Sequence, residues 1–113
     1  MDIELARYLL PEGLLEYFDI VSDKSTADKI HFYLEEKNIL PQKCKNLKAQ
    51  SKGFISELTI EDFPLRGKQV LLHIKRRRWT LVDSGQIIKR DWNIVAKGTR
   101  ITNEFASFLK EIS

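Results

Sequence analysis

Apolar side chains near the start of the chain recur at the three-and-four spacing of an amphipathic helix. This spacing extends over residues 3–18 and is interrupted at Pro11. Proline is tolerated in the first turn of a helix but disrupts a helix interior. The pattern therefore predicts a short helix that ends near Leu10 and a second helix over residues 11–18.

The spacing then changes to the two-residue alternation of β-strands. Residues 18–22 and 29–35 flank a polar segment rich in turn-forming residues, and this arrangement predicts a hairpin. Residues 36–53 show little periodicity, and we predict a long loop there. A third strand is predicted over residues 54–62, followed by a turn at 63–67.

Residues 68–81 carry the clearest strand pattern of the chain. Apolar side chains alternate with polar and basic ones as far as four consecutive cations at 75–78. Asp, Ser and Gly at 83–85 predict a tight turn, and the β-branched and aromatic residues at 86–92 suit a returning strand. We therefore predict one long antiparallel hairpin over residues 68–92.

Helical spacing returns at the end of the chain, after a loop centred on Lys97 and Gly98. Thr102 is a good N-cap residue, and Glu104 lies in the first turn, where the helix dipole favours a negative charge. The pattern predicts a helix over residues 102–112 that packs on the sheet. Its apolar stripe consists of Ile101, Phe105, Phe108, Leu109 and Ile112.

Together these elements predict a single α+β domain over residues 1–113. Its parts are a helical N-terminal part at 1–18, an antiparallel sheet of four to five strands at 18–92, and the C-terminal helix at 102–112. With 42% apolar and 31% charged residues, the composition is typical of a folded protein.

Charge is distributed unevenly along the chain. Residues 64–100 hold ten Lys and Arg against two Asp, so this stretch carries +8 although the whole chain carries only +3. Residues 1–63 carry −4. A local field of this strength attracts polyanions.

We predict that the basic stretch binds double-stranded DNA, because Lys and Arg neutralise phosphates and Arg also forms bidentate bonds with guanine. On a strand, Lys75 and Arg77 project to one face and Arg76 and Arg78 to the other, and which face meets DNA stays open. The alternative is a solvated face that protects a strand edge from aggregation. The predicted contact residues are Arg66, Lys68, Lys75, Arg76, Arg77, Arg78, Lys89, Arg90, Lys97 and Arg100.

Other kinds of chemistry have little support. A lone Cys44 cannot hold zinc, and His31 and His73 have no metal-ligand spacing, so we expect both histidines at the surface or hydrogen-bonded. Trp79 and Trp92 are expected in the core or in a cross-strand pair rather than as stacking platforms for bases. No motif of a phosphate-binding loop, nucleophile elbow or paired histidines occurs. We predict no catalytic site, no metal and no cofactor.

Cellular location is inferred from apolar runs and the N-terminus. The longest apolar runs are far shorter than the ~20 residues that span a bilayer. Residues 1–5 are acidic where a secretory signal would be basic. We expect a cytoplasmic, nucleoid-associated protein without membrane contact.

Four segments of the chain occur in a recognisable order. They read LLP at 9–11, IEDFPLRG at 60–67, LHIKRRRW at 72–79 and AKGTRIT at 96–102. Together they resemble the N-terminal region of bacterial insertion-sequence transposases of the ISL and ISAon kind, and the resemblance is densest over residues 53–109. In that family a zinc-ribbon-like β unit precedes a helix-turn-helix and a DDE catalytic domain, which is sometimes encoded separately.

The metal ligands of that family are incomplete in this chain. Its first cysteine pair would fall near Cys44, where one cysteine is present, and its second pair near residues 80–85, which contain none. The resemblance therefore implies a degenerate zinc ribbon that binds DNA, including the terminal repeats of the element, beside a DDE transposase catalytic chain. The alternative, from a different class, is a protein-interaction module that docks the catalytic subunit without contacting DNA.

Overall fold

The structure of the protein is a computed structural model that describes residues 3–92 and 103–112. The mixture of helices and sheets in these ranges confirms the α+β class. The elements in chain order are α1 (Ile3–Leu9), α2 (Leu14–Tyr17), β1 (Phe18–Ser25), β2 (Lys29–Glu36), a 3-10 helix (Gln42–Cys44), β3 (Ala49–Phe54), β4 (Leu58–Leu65), β5 (Lys68–Lys75), β6 (Arg77–Leu81), β7 (Ile87–Lys89) and α3 (Asn103–Ile112).

A first, four-stranded sheet has the order β1-β2-β5-β4. The β1-β2 hairpin is confirmed, but β2 and β5 pair in parallel, from Lys29 opposite Gln69 to Glu35 opposite Lys75. The prediction of a wholly antiparallel sheet is therefore wrong. Parallel pairing needs a long crossover connection, and residues 37–67 provide it.

A second sheet has the order β3-β6-β7 and is antiparallel throughout. The predicted strand at 68–81 is divided at Arg76, so that β5 belongs to the first sheet and β6 to the second. The prediction of one hairpin over 68–92 is wrong in its extent, because only β6 and β7 pair as a hairpin. Beyond the break, Arg77 begins β6 opposite Phe54 of β3, and its N–H donates to the side chain of Glu36 at the end of β2.

The segment between the two sheets also differs from prediction. Residues 36–53 are not one loop, since they include the 3-10 helix and most of β3. Strand β4 begins at Leu58 and ends at Leu65, so the turn is shorter than predicted. Arg66 and Gly67 form this turn with φ of 49° and 77°, the two positive values of a tight two-residue hairpin loop.

The N-terminal helices confirm the break at Pro11, since α1 ends at Leu9 and α2 begins at Leu14. Gly13 precedes α2 with φ of 94°, and a Cβ built on it would lie 2.9 Å from the Phe105 ring. Glycine is required here both by the left-handed backbone and by the close approach of α3.

The main core lies between the first sheet and the helices. Phe32, Leu34, Val70, Leu72 and Ile74 are buried on one face of the sheet. Helix α3 covers this core with the predicted stripe, which confirms its packing on the sheet; Ile101, Thr102 and the loop at Lys97 and Gly98 lie outside the described residues. The stripe's described members are Phe105, Phe108, Leu109 and Ile112.

Both tryptophans are buried, as predicted. Trp92 stacks on Phe18 with ring centroids 5.3 Å apart, inside the main core. Trp79 is 1% exposed in the second sheet, and its indole N–H donates to the Asn38 side chain at 2.8 Å. In the ranges that the structure describes, no helix is long and apolar enough to cross a membrane.

Candidate nucleic-acid interface

The second sheet and its adjoining segments concentrate positive charge. We call residues 42–52 and 76–92 the basic module; it contains the 3-10 helix, most of β3, and strands β6 and β7. The module holds nine Lys and Arg against two Asp. Pairing of β3 with β6 adds four lysines to the cations that the sequence predicted, namely Lys43, Lys45, Lys48 and Lys52.

Several cations of the module are open to solvent. Lys43, Lys45, Lys48, Lys52 and Lys89 are all exposed. Sequence reasoning missed the first four because they lie in the segment predicted as a loop, before the basic stretch begins. The basic run at 75–78 could not indicate them, since β3 reaches β6 only through long-range pairing.

Arg78 and Lys89 lie directly opposite each other in the β6-β7 pairing. Two cations in such a cross-strand pair repel each other. On the same face of β6, the Arg78 Nε and the Thr80 Oγ1 are buried without a hydrogen-bond partner in the described part of the chain. An anion placed against this face would relieve the repulsion and satisfy the Arg78 donor.

Arg77 and Arg90, by contrast, are bonded inside the protein by Glu36. The Glu36 carboxylate accepts the Arg77 backbone N–H and the Arg90 Nε, each at 3.0 Å, and the Glu36 carbonyl accepts the Arg77 Nε at 3.0 Å. Arg90 also donates to the Ile39 carbonyl. Burial raises the pKa of the Glu36 carboxyl, although the bonds from Arg77 and Arg90 oppose this effect. These contacts join the end of β2 to the second sheet.

The Arg90 guanidinium also lies among aromatic rings. Its carbon is 5.3 Å from the Tyr17 ring centroid, 5.7 Å from that of Trp92 and 6.0 Å from that of Trp79. Cation–π contacts at these distances are favourable when the charge is desolvated. Arg90, whose side chain is only 8% exposed, therefore stabilises the junction of the two sheets and is poorly placed to contact DNA.

Arg76 occupies the break between β5 and β6. Its Nη1 donates to the Ile112 carbonyl at 3.0 Å, at the C-terminal end of α3. The helix dipole makes this end electronegative, so a cation is favourable there. The Arg76 Nε, however, is buried without a partner in the described ranges.

Three of the remaining predicted cations, Arg66, Lys68 and Lys75, lie outside the module. Arg66 and Lys68 lie at the opposite end of β5, about 23 Å away at ~3.3 Å per residue. The Lys68 Nζ donates to the Thr26 carbonyl at 3.1 Å, and Lys75 lies opposite Glu35 in the register. Lys97 and Arg100 lie outside the described residues. The eight predicted cations that the structure describes therefore do not form one continuous surface.

The first sheet carries an imidazole cluster on the face away from the core. The His31 Nδ1 lies 2.8 Å from the His73 Nε2, and the His73 Nδ1 lies 3.2 Å from the Thr59 hydroxyl and 3.6 Å from a Glu57 oxygen. The Tyr33 ring stacks on His73 at 4.5 Å. The sequence predicted that the histidines lie at the surface or are hydrogen-bonded, and they are hydrogen-bonded. No sequence signal indicated their contact, because it depends on the parallel pairing of β2 with β5.

The cluster is poorly suited to binding bases. Tyr33 stacks on His73 at 4.5 Å, and the His73 side chain is only 13% exposed, so little of the His73 ring is open to a base. A platform for single-stranded nucleic acid needs free aromatic faces. Among the residues that the structure describes, no group of three or more His, Cys, Asp or Glu could hold a metal ion.

Comparisons of the chain with protein-family models, with curated proteins and with solved structures found no match.

Proposed function

We propose that the protein binds double-stranded DNA through the exposed cations of the basic module, as the DNA-binding domain or accessory subunit of an insertion-sequence transposase. One observation carries the proposal: pairing of β3 with β6 collects nine Lys and Arg against two Asp around one small sheet. Lysines at such density bind phosphates by releasing condensed counterions, without base-specific contacts.

The cations of the module divide into two roles. The exposed lysines Lys43, Lys45, Lys48, Lys52 and Lys89 are placed to reach phosphates, together with the half-exposed Arg78. Arg77 and Arg90 make internal bonds and contribute to the positive field, and Arg76 makes an internal bond through its Nη1 alone. The contact set proposed from the structure thus shifts from the arginines of the basic run toward the lysines around it.

The role in transposition is supported by the placement of two turns. In the resemblance to transposases, the segments near Cys44 and at residues 80–85 correspond to the cysteine pairs of a zinc ribbon. The two segments lie side by side here, since the Val82 N–H donates to the Lys48 carbonyl at 2.9 Å. A three-stranded antiparallel sheet with these two segments adjacent is what a ribbon without its metal would retain, and on that likeness we propose binding at the terminal repeats beside a DDE catalytic chain.

The proposal is tested by titrating labelled duplex DNA at several salt concentrations. If about five lysines reach phosphates, log K falls against log salt with a slope of about −4.5, at ~0.9 per contact. The double substitution Lys45→Gln/Lys48→Gln should reduce the slope by about 1.8 and weaken binding to all duplexes alike.

The matched control removes two exposed cations outside the module. Lys24→Gln/Arg66→Gln changes the net charge equally, and we expect the slope to stay within ~0.3 of the unsubstituted protein, a third of one contact. Equal effects of the two double substitutions would show that net charge alone attracts DNA. Absence of duplex binding at low salt, with salt-insensitive binding to a DDE catalytic chain, would favour the protein-docking alternative.

A further inference from the structure

A cleft opens at the junction of the two sheets, next to the end of α3. Its volume is about 340 Å³, enough for a phosphate group with water around it. Its lining includes Glu36, Lys43, Arg76, Lys89, Asp91 and Ile112.

The lining of the cleft carries more positive than negative charge. Five of its residues are Lys or Arg, and two, Glu36 and Asp91, are carboxylates. Glu36 and Arg90 form an ion pair and offset each other, which leaves Lys43, Arg76, Arg77 and Lys89 against Asp91. An anion that enters the cleft therefore meets an excess of cations in a partly desolvated space, where electrostatic attraction is stronger than in water.

Arg76 supplies the geometric feature that points to a ligand. One arm of its guanidinium is used, because Nη1 donates to the Ile112 carbonyl, whereas Nε is buried and without a partner in the described ranges. Buried side-chain donors are rarely unpaired in folded proteins. The bond to Ile112 also neutralises the electronegative end of α3, which would otherwise repel an anion from this cleft.

Lys43 and Lys89 complete the arrangement. Both line the cleft and are exposed, so their ammonium groups can close on an anion from solvent. A guanidinium N–H with two ammonium groups provides directed hydrogen bonds to a tetrahedral oxyanion.

We propose that this cleft is a phosphate-binding site, in which the Arg76 Nε donates to a phosphate oxygen and Lys43 and Lys89 flank the group. The inference deepens the proposed DNA binding, and it depends on that binding for the source of the phosphate, a backbone phosphate of the duplex. A free phosphate or phosphorylated small molecule presents the same oxygens and is distinguished by the test.

The test follows the Arg Nε–H resonances of the full chain by NMR during titration with inorganic phosphate, against chloride at equal ionic strength. We expect a saturable shift of the Arg76 resonance. The Lys43→Gln/Lys89→Gln substitution, which removes only exposed side chains, should weaken phosphate binding about tenfold or more, the size of one or two charged hydrogen bonds. Lys52→Gln, an exposed lysine outside the cleft lining, should leave phosphate binding unchanged.

A second arm adds duplex DNA in place of phosphate. A shift of Arg76 with DNA supports a backbone phosphate as the source, and a shift with inorganic phosphate alone supports a free phosphate. An Arg76 resonance that does not respond saturably to either ligand overturns the site, as does an equal effect of Lys52→Gln. Because duplex affinity is measured separately by the salt titration, failure of the cleft can be distinguished from failure of DNA binding.

Discussion

Among single residues, Glu36 explains how Arg77 and Arg90 can be partly buried at the junction of the two sheets. Its carboxylate is 1% exposed and bonds both the Arg77 backbone and the Arg90 side chain. Sequence analysis could identify the arginines but not this partner, since Glu36 lies 41 residues before Arg77 and 54 before Arg90. Strand alternation assigned Arg76 and Arg78 to one face and Arg77 to the other. It could not show that the chain passes from the first sheet to the second at Arg76.

We predict that Glu36→Ala lowers the free energy of unfolding by about 3–5 kcal/mol, because it leaves the Arg90 charge buried and unpaired. Chemical denaturation of the two proteins measures the difference. Glu36→Gln keeps an acceptor for the Arg77 N–H and should cost less. A loss below about 1 kcal/mol for Glu36→Ala would mean that Arg90 finds water or another partner, and that the junction does not depend on the carboxylate.

A second residue-scale prediction concerns Asp62. Burial raises the pKa of the Asp62 carboxyl, although the Phe63 N–H opposes this. The folded state then holds the proton more tightly than the unfolded state. The resulting stabilisation is fully present below the pKa of the unfolded carboxyl and is lost as pH rises through the folded value.

The substitution Asp62→Asn should remove that dependence, because an amide does not titrate. We expect the free energy of unfolding of the unsubstituted protein to fall relative to that of the Asp62→Asn variant as pH rises through the acidic range. Denaturation of both proteins at a series of acidic pH values measures this difference. The Glu36 carboxyl is present in both proteins, so its contribution to the pH dependence of the free energy of unfolding cancels in the comparison. Parallel stability curves across this range would show that the Asp62 carboxyl is solvated in the folded protein.

Among the helices and strands, those with a clear hydrophobic periodicity were predicted correctly. Pairing between segments distant in the sequence was not. The stripe of α3 and the β1-β2 hairpin follow from local spacing, and the structure confirms both. Strand β3 has the sequence AQSKGF, which lacks apolar alternation, and it is a strand only because β6 pairs with it. The parallel pairing of β2 with β5 likewise leaves no local signal, since each strand alternates as it would in an antiparallel sheet.

We predict that Phe108→Ala lowers the free energy of unfolding by about 3–5 kcal/mol, the usual cost of truncating a buried phenylalanine. Phe108 is 4% exposed and contacts the Phe18 ring edge-on at 5.9 Å. Ser107→Ala, on the exposed side of the same helix, should change stability by less than about 0.5 kcal/mol. Equal small effects at both positions would contradict the packing of α3 on the sheet.

Across the molecule, the two sheets differ in charge and in what packs against their faces. The first sheet has a helix-covered core on one face and the imidazole cluster on the other. The second sheet is small, and the basic module around it carries five of the eight exposed lysines among the described residues. The molecule measures 50 × 27 × 23 Å, and the basic module lies away from the turn at Arg66 and Gly67. We therefore predict that DNA contacts the basic module and does not contact this turn.

DNA binding by the basic module is tested by NMR mapping of backbone amides during titration with duplex DNA. We predict saturable perturbations over residues 42–52 and 76–92, and unchanged signals at the β1-β2 turn and at Arg66 and Gly67. The perturbations should weaken with added salt, as phosphate contacts do. Perturbations centred on the Arg66 turn or on the imidazole face of the first sheet, or no perturbation at low salt, would contradict DNA binding by the basic module.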